Sequence, residues 1–118
     1  MKTLTTQEIE AGNLKIHIFM GNKRMTKVVE NHLETYIPGY YYVWELLINV
    51  VERIEELDKF GGIVTILQGR CRIEARNLGD KTIYADVDNY MLLGVKGKMK
   101  SVFEAILIYI DWYNKQIM

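Results

Sequence analysis

The chain has 118 residues, enough for one hydrophobic core and too few for two. Its apolar fraction of 49% and its charged fraction of 25% are ordinary for a globular domain. Fifteen basic residues balance fifteen acidic ones, so the molecule lacks the overall field that draws a protein onto nucleic acid or anionic lipid. Any such binding has to come from a local patch.

Three features predict a cytoplasmic protein with no membrane segment. The only cysteine, Cys71, cannot form an intrachain disulfide, and we expect it to be a small buried side chain in a reducing compartment. The first residues lack the apolar core of a signal peptide and include Glu8 and Glu10. The longest strictly apolar run, from Ala105 to Ile110, is far below the ~20 residues that span a bilayer.

The first predicted element is a helix. Thr5-Thr6-Gln7-Glu8 has the pattern of a capping box, in which a threonine and a glutamate satisfy free backbone N–H groups at a helix start. Its continuation has two interpretations, because Leu14 to Ile18 also alternates with the period of a strand. We predict helix, ending at Gly21, since several apolar residues share a helical face: Ile9, Ile16, Phe19 and Met20.

Residues 22–39 are predicted to connect this helix to the core of the domain. They are polar, follow no sustained period and end with the only proline, although Met25 to Val29 could be extended. The remaining residues, 40–118, then carry the core elements. The sequence therefore predicts one domain over residues 1–118, with an N-terminal helix and linker before the core.

The core is predicted to begin with an amphipathic helix from Tyr42 to Leu57. Its apolar side chains form one stripe: Val43, Leu47, Val50, Val51, Ile54 and Leu57. Three strands follow at Ile63–Leu67, Arg70–Arg76 and Lys81–Val87, and short turns between them predict an antiparallel meander. The first strand is apolar on both alternating faces, as expected for a strand covered on both sides.

Lys98 to Asn114 is the last predicted helix, after an irregular segment. Its core side is made by Met99, Val102, Phe103, Ile106, Ile110 and Tyr113. The element order helix, helix, three strands, helix predicts the α+β class. With one strand apolar on both faces, we expect helices on both sides of a small sheet, as in an α-β-α sandwich.

Three segments of the sequence resemble a known family. They are the run from Trp44 to Glu55, the strand residues Cys71-Arg72-Ile73, and Ala105 to Ile110 with Trp112-Tyr113-Asn114. Together they resemble the phage α-β-α sandwich domain, a group of small phage and prophage proteins, over about the C-terminal two-thirds of the chain. The resemblance implies a fold and an origin. It implies no activity, cofactor or catalytic residue, because the matching positions are mostly core residues.

No catalytic, metal or cofactor motif is recognisable, so we predict a protein that is not an enzyme. His17 and His32 belong to no nucleophile or metal motif, and the run from Glu30 to Glu34 could chelate only if its loop folded back on itself. Acidic and amide residues at 80, 86, 88 and 89 lack the glycine and the closing glutamate of a calcium loop. We therefore expect no cofactor and no metal.

A lysine-rich segment lies just before and at the start of the last predicted helix, with Lys96, Lys98 and Lys100 between or after two glycines. It is not a phosphate-binding P-loop, because Met99 stands where serine or threonine is needed. The positive end of a helix dipole lies here, so three lysines are unfavourable unless an anion is near. The segment is either a solvated turn or a weak phosphate site.

A second basic row, Arg70, Arg72 and Arg76, lies on the polar face of the second strand. With Tyr84 on a neighbouring strand it could form the basic and aromatic surface that binds single-stranded nucleic acid. Glu74 shares that row, however, so a solvated sheet face is the alternative. If helices cover both faces, part of the row has to pair with their carboxylates.

The last helix carries a second apolar stripe, formed by Ala105, Ile108 and Trp112, which packs either on the N-terminal helix or on a second subunit. We predict an interaction domain that binds a protein partner or itself through Ile108 and Trp112 and through a tyrosine cluster, Tyr40, Tyr41 and Tyr42. The alternative is a weak nucleic-acid or phosphate binder that uses the three lysines. The partner itself is not identifiable from the sequence.

Overall fold

The computed structural model describes residues 4–21, 25–29, 32–76, 81–89 and 94–117. In chain order its elements are α1 (Thr6–Phe19), β1 (Met25–Val29), β2 (His32–Tyr36), a 3-10 turn (Tyr40–Tyr42), α2 (Trp44–Glu56), β3 (Gly62–Leu67), β4 (Arg70–Ala75), β5 (Ile83–Asp88) and α3 (Gly94–Ile117). Strands β3, β4 and β5 form an antiparallel sheet in that order, and β1 pairs with β2 in a separate antiparallel ribbon. The predicted α+β class and the three-stranded meander are confirmed.

The β1–β2 ribbon lies within the predicted connecting segment. The extended stretch at Met25–Val29 is confirmed as β1, and the sequence analysis did not predict its partner, β2. In the ribbon, Met25 is paired with Tyr36 and Lys27 with Glu34. A short strand with mixed polar and apolar residues has no clean period of two, which is why β2 escaped sequence analysis.

Helix α1 begins at the predicted capping box and continues through the ambiguous segment. The Thr5 hydroxyl accepts a hydrogen bond from the Glu8 N–H, and the Glu8 carboxylate accepts one from the Thr5 N–H, both at 3.1 Å. Leu14 to Ile18 is helical, so the helical interpretation is confirmed, and α1 ends at Phe19. Gly21 follows with φ +68°, a conformation that favours glycine.

The two long helices supply most of the core. Four of the predicted stripe residues of α2 are buried, whereas Val43 precedes the helix and is exposed. Helix α3 begins at Gly94, four residues before the predicted start, and buries Val102, Phe103, Ile106 and Ile110. Across the described residues, no helix is both long enough and apolar enough to cross a bilayer.

The described helices cover one face of the β3–β5 sheet. That covered face is built from Cys71, Ile73, Ala75 and Ala85, which are buried against α2 and α3. The opposite face, here called the open face, leaves Ile63, Leu67 and Ile83 46%, 54% and 49% exposed. The layering thus differs from the prediction: we expected helices on both faces of the sheet, and the described helices cover only one. Apolar residues on both sides of β3 did not require cover, because charged residues of β4 and β5 share the open face with them.

The loop before β3 is held in an unusual conformation by its neighbours. Phe60 has φ +65°, and its ring makes an edge-to-face contact with Trp112 at 5.3 Å between centroids. The Phe60 carbonyl accepts a hydrogen bond from Tyr109, and burial raises the pKa of Tyr109 well above its ordinary value, which keeps this hydroxyl a donor.

Arg76, the last member of the predicted arginine row, donates to the carbonyls of Glu55 and Leu57 at the end of α2. These contacts fix how the chain enters β3.

Cys71 is fully buried on the covered face, as predicted. Burial, with a smaller contribution from the charge of Asp86, raises the pKa of the Cys71 thiol to about 12. At pH 8 the thiol is therefore protonated as well as inaccessible. We expect Ellman's reagent to react with the folded protein about a thousandfold more slowly than with the protein in urea. Rapid reaction without urea would contradict this burial.

Candidate functional site

The 3-10 turn and the first turns of α3 form a groove with an aromatic and cationic lining. Tyr41, Tyr42, Lys96 and Met99 line it, and its volume is about 400 Å³. We call it the tyrosine–lysine groove. Sequence analysis predicted the tyrosine cluster and the lysine segment as two separate sites, and the fold brings two tyrosines and one lysine into a single surface.

Helix α1 positions the tyrosines. The side chain of Asn13 accepts a hydrogen bond from the Tyr41 N–H at 3.1 Å, and Nδ1 of His17 lies 3.4 Å from the Tyr40 hydroxyl. Tyr40 is consequently a core residue, only 3% exposed, and the prediction that it belongs to an interface is wrong for this chain as folded. Tyr42 lies on the outside and is 64% exposed.

Tyr41 connects the groove to the core. Its ring makes edge-to-face contacts with Tyr42, at 5.1 Å between centroids, and with the fully buried Phe103, at 4.9 Å. Burial raises the pKa of Tyr41, with smaller contributions from the charges of Tyr42 and Glu104. The hydroxyl therefore stays neutral, and the groove offers a neutral aromatic wall held by core packing.

The three predicted lysines do not form one cluster. Lys96 is exposed and lines the groove, and Lys98 is exposed but lies outside the groove lining. Lys100 is buried, 5% exposed, and its ammonium group donates to the Asn89 amide oxygen at 3.2 Å and to Glu104 at 2.8 Å. Because α3 already begins at Gly94, residues two apart point to different sides of the helix. Lys100 is thus a structural residue and not part of an anion site.

The arginine row on the open face is neutralised by its own sheet. Arg70 and Arg72 both donate to the carboxylate of Asp86 on β5, with four hydrogen bonds of 2.9 to 3.3 Å. The hydrogen bond from Arg70, and then that from Arg72, lowers the pKa of Asp86. Tyr84 is stacked on Trp112 of α3 at 4.3 Å between ring centroids. Arg70 and Arg72 therefore pair with a strand carboxylate and not with the expected helix carboxylates, whereas Arg76 binds main-chain carbonyls at the end of α2.

The second stripe of α3 is used mainly within the chain. Ala105 is fully buried and is not available to a partner, and Trp112 is partly buried against Tyr84 and Phe60. Ile108 remains 46% exposed and lines a shallow groove between α1 and α3. An ion pair of 2.7 Å between Lys15 and Asp111 joins the same two helices.

No group of three or more His, Cys, Asp or Glu side chains in the described ranges is placed to hold a metal ion. His17 contacts Tyr40, as described above, and Asn89 is bound to Lys100, Ser101 and Glu104. Residues 30, 31 and 80, which belong to the two clusters considered in the sequence analysis, lie outside the described residues.

Sequence analysis missed Met99 as a groove residue, because it shares the apolar stripe of α3 with the core. Its position three residues after Lys96 was the available signal, but only once the helix is known to begin at Gly94.

Comparison of the chain with protein-family models, with curated proteins and with solved structures finds no match. The side chains themselves therefore carry the functional argument.

Proposed function

We propose that this protein is a non-enzymatic interaction domain, of the phage or prophage accessory kind that its sequence resembles, and that it binds a partner protein through the tyrosine–lysine groove. The supporting observation is that the exposed ring of Tyr42, the anchored ring of Tyr41 and the exposed Lys96 share one concave surface. Aromatic residues and methionine are enriched at protein interfaces, and hot spots are commonly aromatic side chains near a pocket.

The lining defines the chemistry of the partner. Met99 is flexible and polarisable, and together with the tyrosine rings it suits an aliphatic or aromatic anchor side chain. Lys96 suits a carboxylate next to that anchor. The expected ligand is therefore a protein segment in which an aspartate or glutamate lies beside a large apolar residue.

The experiment is a selection of peptides from a random library on the wild-type protein, with counter-selection on a Tyr42→Ala/Lys96→Glu double variant. We expect enrichment of an acidic residue beside a large apolar one. Each single substitution should then raise the Kd of the selected peptide about tenfold or more, as for a hot-spot residue.

Lys98→Glu is the matched control, because it makes the same charge change on an exposed lysine of the same helix outside the groove. It should leave the Kd within about twofold, since rim charges at a distance are screened. Selected peptides that bind the wild type and the Tyr42→Ala variant equally well would refute the proposal.

The alternative function is weak nucleic-acid or phosphate binding at the same groove. A lysine beside two tyrosines also suits a phosphate and a stacked base. Titration with a labelled oligothymidine at low and high salt separates the alternatives, because phosphate contacts weaken steeply with salt. Oligonucleotide binding that is salt-dependent and lost in Lys96→Glu would favour this alternative. Binding that is the same in Lys96→Glu as in the wild type, or no binding at all, would refute it.

A further inference from the structure

The outer edge of β3 has no strand beside it in the described parts of the chain. The hydrogen-bond pattern shows which backbone groups this leaves free. The Asn89 N–H donates to the Gly69 carbonyl and the Ala75 N–H donates to the Thr82 carbonyl, so the odd-numbered residues of β4 face β5. The even-numbered residues of β4 then bond to their β3 partners, which are Ile63, Thr65 and Leu67. The N–H and C=O groups of Val64 and Ile66 therefore point outward.

This edge lacks the features that usually prevent pairing with another chain. Strand β3, Gly62–Leu67, contains no charged residue and no proline, and it exposes the aliphatic side chains of Ile63 and Leu67. The other edge strand, β5, carries Asp86 and Asp88 at exposed positions. Charged edge strands resist pairing, so the two edges of the sheet differ in their capacity to associate.

We infer that β3 pairs with β3 of a second copy of this chain, antiparallel, with the two-fold axis at Thr65. In this register Val64 forms a hydrogen-bonded pair with Ile66 of the second copy, which uses the free backbone groups. On the open face, Ile63 lies opposite Leu67 of the second copy, and Thr65 lies opposite Thr65. Every exposed aliphatic side chain of the strand thereby meets another, and the two sheets become one sheet of six strands.

The charges at the two ends of β3 specify a second copy and its direction. Glu55, Glu56 and Asp58 precede the strand and are exposed, with Lys59 and Arg76 offsetting part of their charge. At the other end of the strand, Arg70 of β4 is paired with Leu67, whereas Arg72 is paired with Thr65 at the strand centre. Asp86 and Asp88 of β5 offset part of the charge of these arginines, but they lie one strand farther from the free edge. Antiparallel pairing places the acidic end of one copy beside the basic end of the other, whereas parallel pairing would place like charges together.

Introducing a charge at residue 65 tests the inference, because the exposed Thr65 would lie opposite Thr65 of the second copy across the axis. Light scattering over a concentration series should show a wild-type dimer. Thr65→Lys and Thr65→Glu should each raise the dimer dissociation constant by about tenfold, because like charges directly opposite destabilise a strand pair. An equimolar mixture of the two variants should restore dimers. Tyr42→Ala should leave the dimer intact, which separates this test from that of the groove.

Crosslinking tests the register. Residues 65 of the two copies would form a non-hydrogen-bonded pair with Cα atoms about 4.5 Å apart, within disulfide range. Thr65→Cys should therefore form an interchain disulfide under mild oxidation. Ile63→Cys is the control, because its two copies would lie about 13 Å apart. The native Cys71 is buried and supplies no background.

The proposal is overturned by a wild-type protein that is monomeric at all concentrations, or by assemblies larger than a dimer. Equal crosslinking of the two cysteine variants would overturn it as well, as would a mixture of the Lys and Glu variants that stays monomeric.

Discussion

Replacing Glu104 by leucine is expected to lower the free energy of unfolding by about 3 kcal/mol, because it leaves the ammonium group of Lys100 buried without a counter-charge. Lys100 is only 5% exposed, and its polar contacts are Glu104 and the Asn89 amide oxygen. Glu104 is itself partly exposed, so we place the loss at the low end of the range for broken buried ion pairs. Urea denaturation followed by tryptophan fluorescence measures it.

The control for Glu104→Leu is the double variant Lys100→Met/Glu104→Leu. Replacing a buried ion pair by apolar side chains of similar volume is commonly close to neutral, so this variant should recover part of the lost stability. The rest stays lost because the buried Asn89 amide keeps only Ser101 of its three side-chain partners. A double variant as unstable as Glu104→Leu would show that the carboxylate stabilises something other than Lys100. Recovery would show that the Lys100 ammonium group is held by Glu104 inside the fold and does not contribute to an anion site.

Replacing Gly12 by alanine is expected to lower the free energy of unfolding by about 2 kcal/mol, although alanine is the better helix former by about 1 kcal/mol. Gly12 lies in the middle of α1 where this helix meets α3. A Cβ atom there would collide with the ring of Phe103 and lie 2.9 Å from Cδ1 of Leu107. Because Phe103 is fully buried, its ring cannot move aside without disturbing the core.

Two further variants test the cause of the Gly12 effect. In the Phe103→Leu background, Gly12→Ala should lower the free energy of unfolding by less, because the ring atoms that collide with the new Cβ are absent. Urea denaturation of the double-mutant cycle gives the coupling energy between residues 12 and 103. Gly21→Ala is the matched control, with open space around it but φ +68°, so only backbone strain of about 1 kcal/mol is expected. A Gly12→Ala protein as stable as wild type would contradict the close helix contact.

Gly12→Ala should also affect the groove, because Phe103 supports the ring of Tyr41. A peptide that binds the groove should therefore bind the Gly12→Ala variant more weakly, even where the protein remains folded. This coupling between a glycine on α1 and a site made by the 3-10 turn and α3 follows from packing alone. Nothing in the local sequence around residue 12 indicates it.

The predictions that held are those with a local cause. The capping box at Thr5 and Glu8 needs only four consecutive residues, and the apolar stripe of α2 needs only the helical period. The hairpin at Gln68-Gly69 is set by the short turn between two alternating segments. In each case the residues that decide the structure are neighbours in the chain.

One failed prediction has a local cause, and the others concern contacts between distant residues. The start of α3 was placed too late because glycines at 94 and 97 weaken the helical signal, although both lie within the helix. The burial of Lys100 depends on Asn89, eleven residues away, and the burial of Tyr40 depends on α1. A side chain's own type does not reveal such partners, so the three lysines and the three tyrosines looked like two uniform clusters.

The sequence by itself determined the α+β class, the meander and the positions of α1 and α2, because periodicity, caps and turns act over a few residues. Only the tertiary structure decided which face of the sheet is covered, that Lys96 joins Tyr41 and Tyr42, and that the edge of β3 is free. The physical reason is that exposure and shared surfaces are properties of packed elements: an aliphatic residue in a strand has the same local signal whether a helix covers it or solvent does.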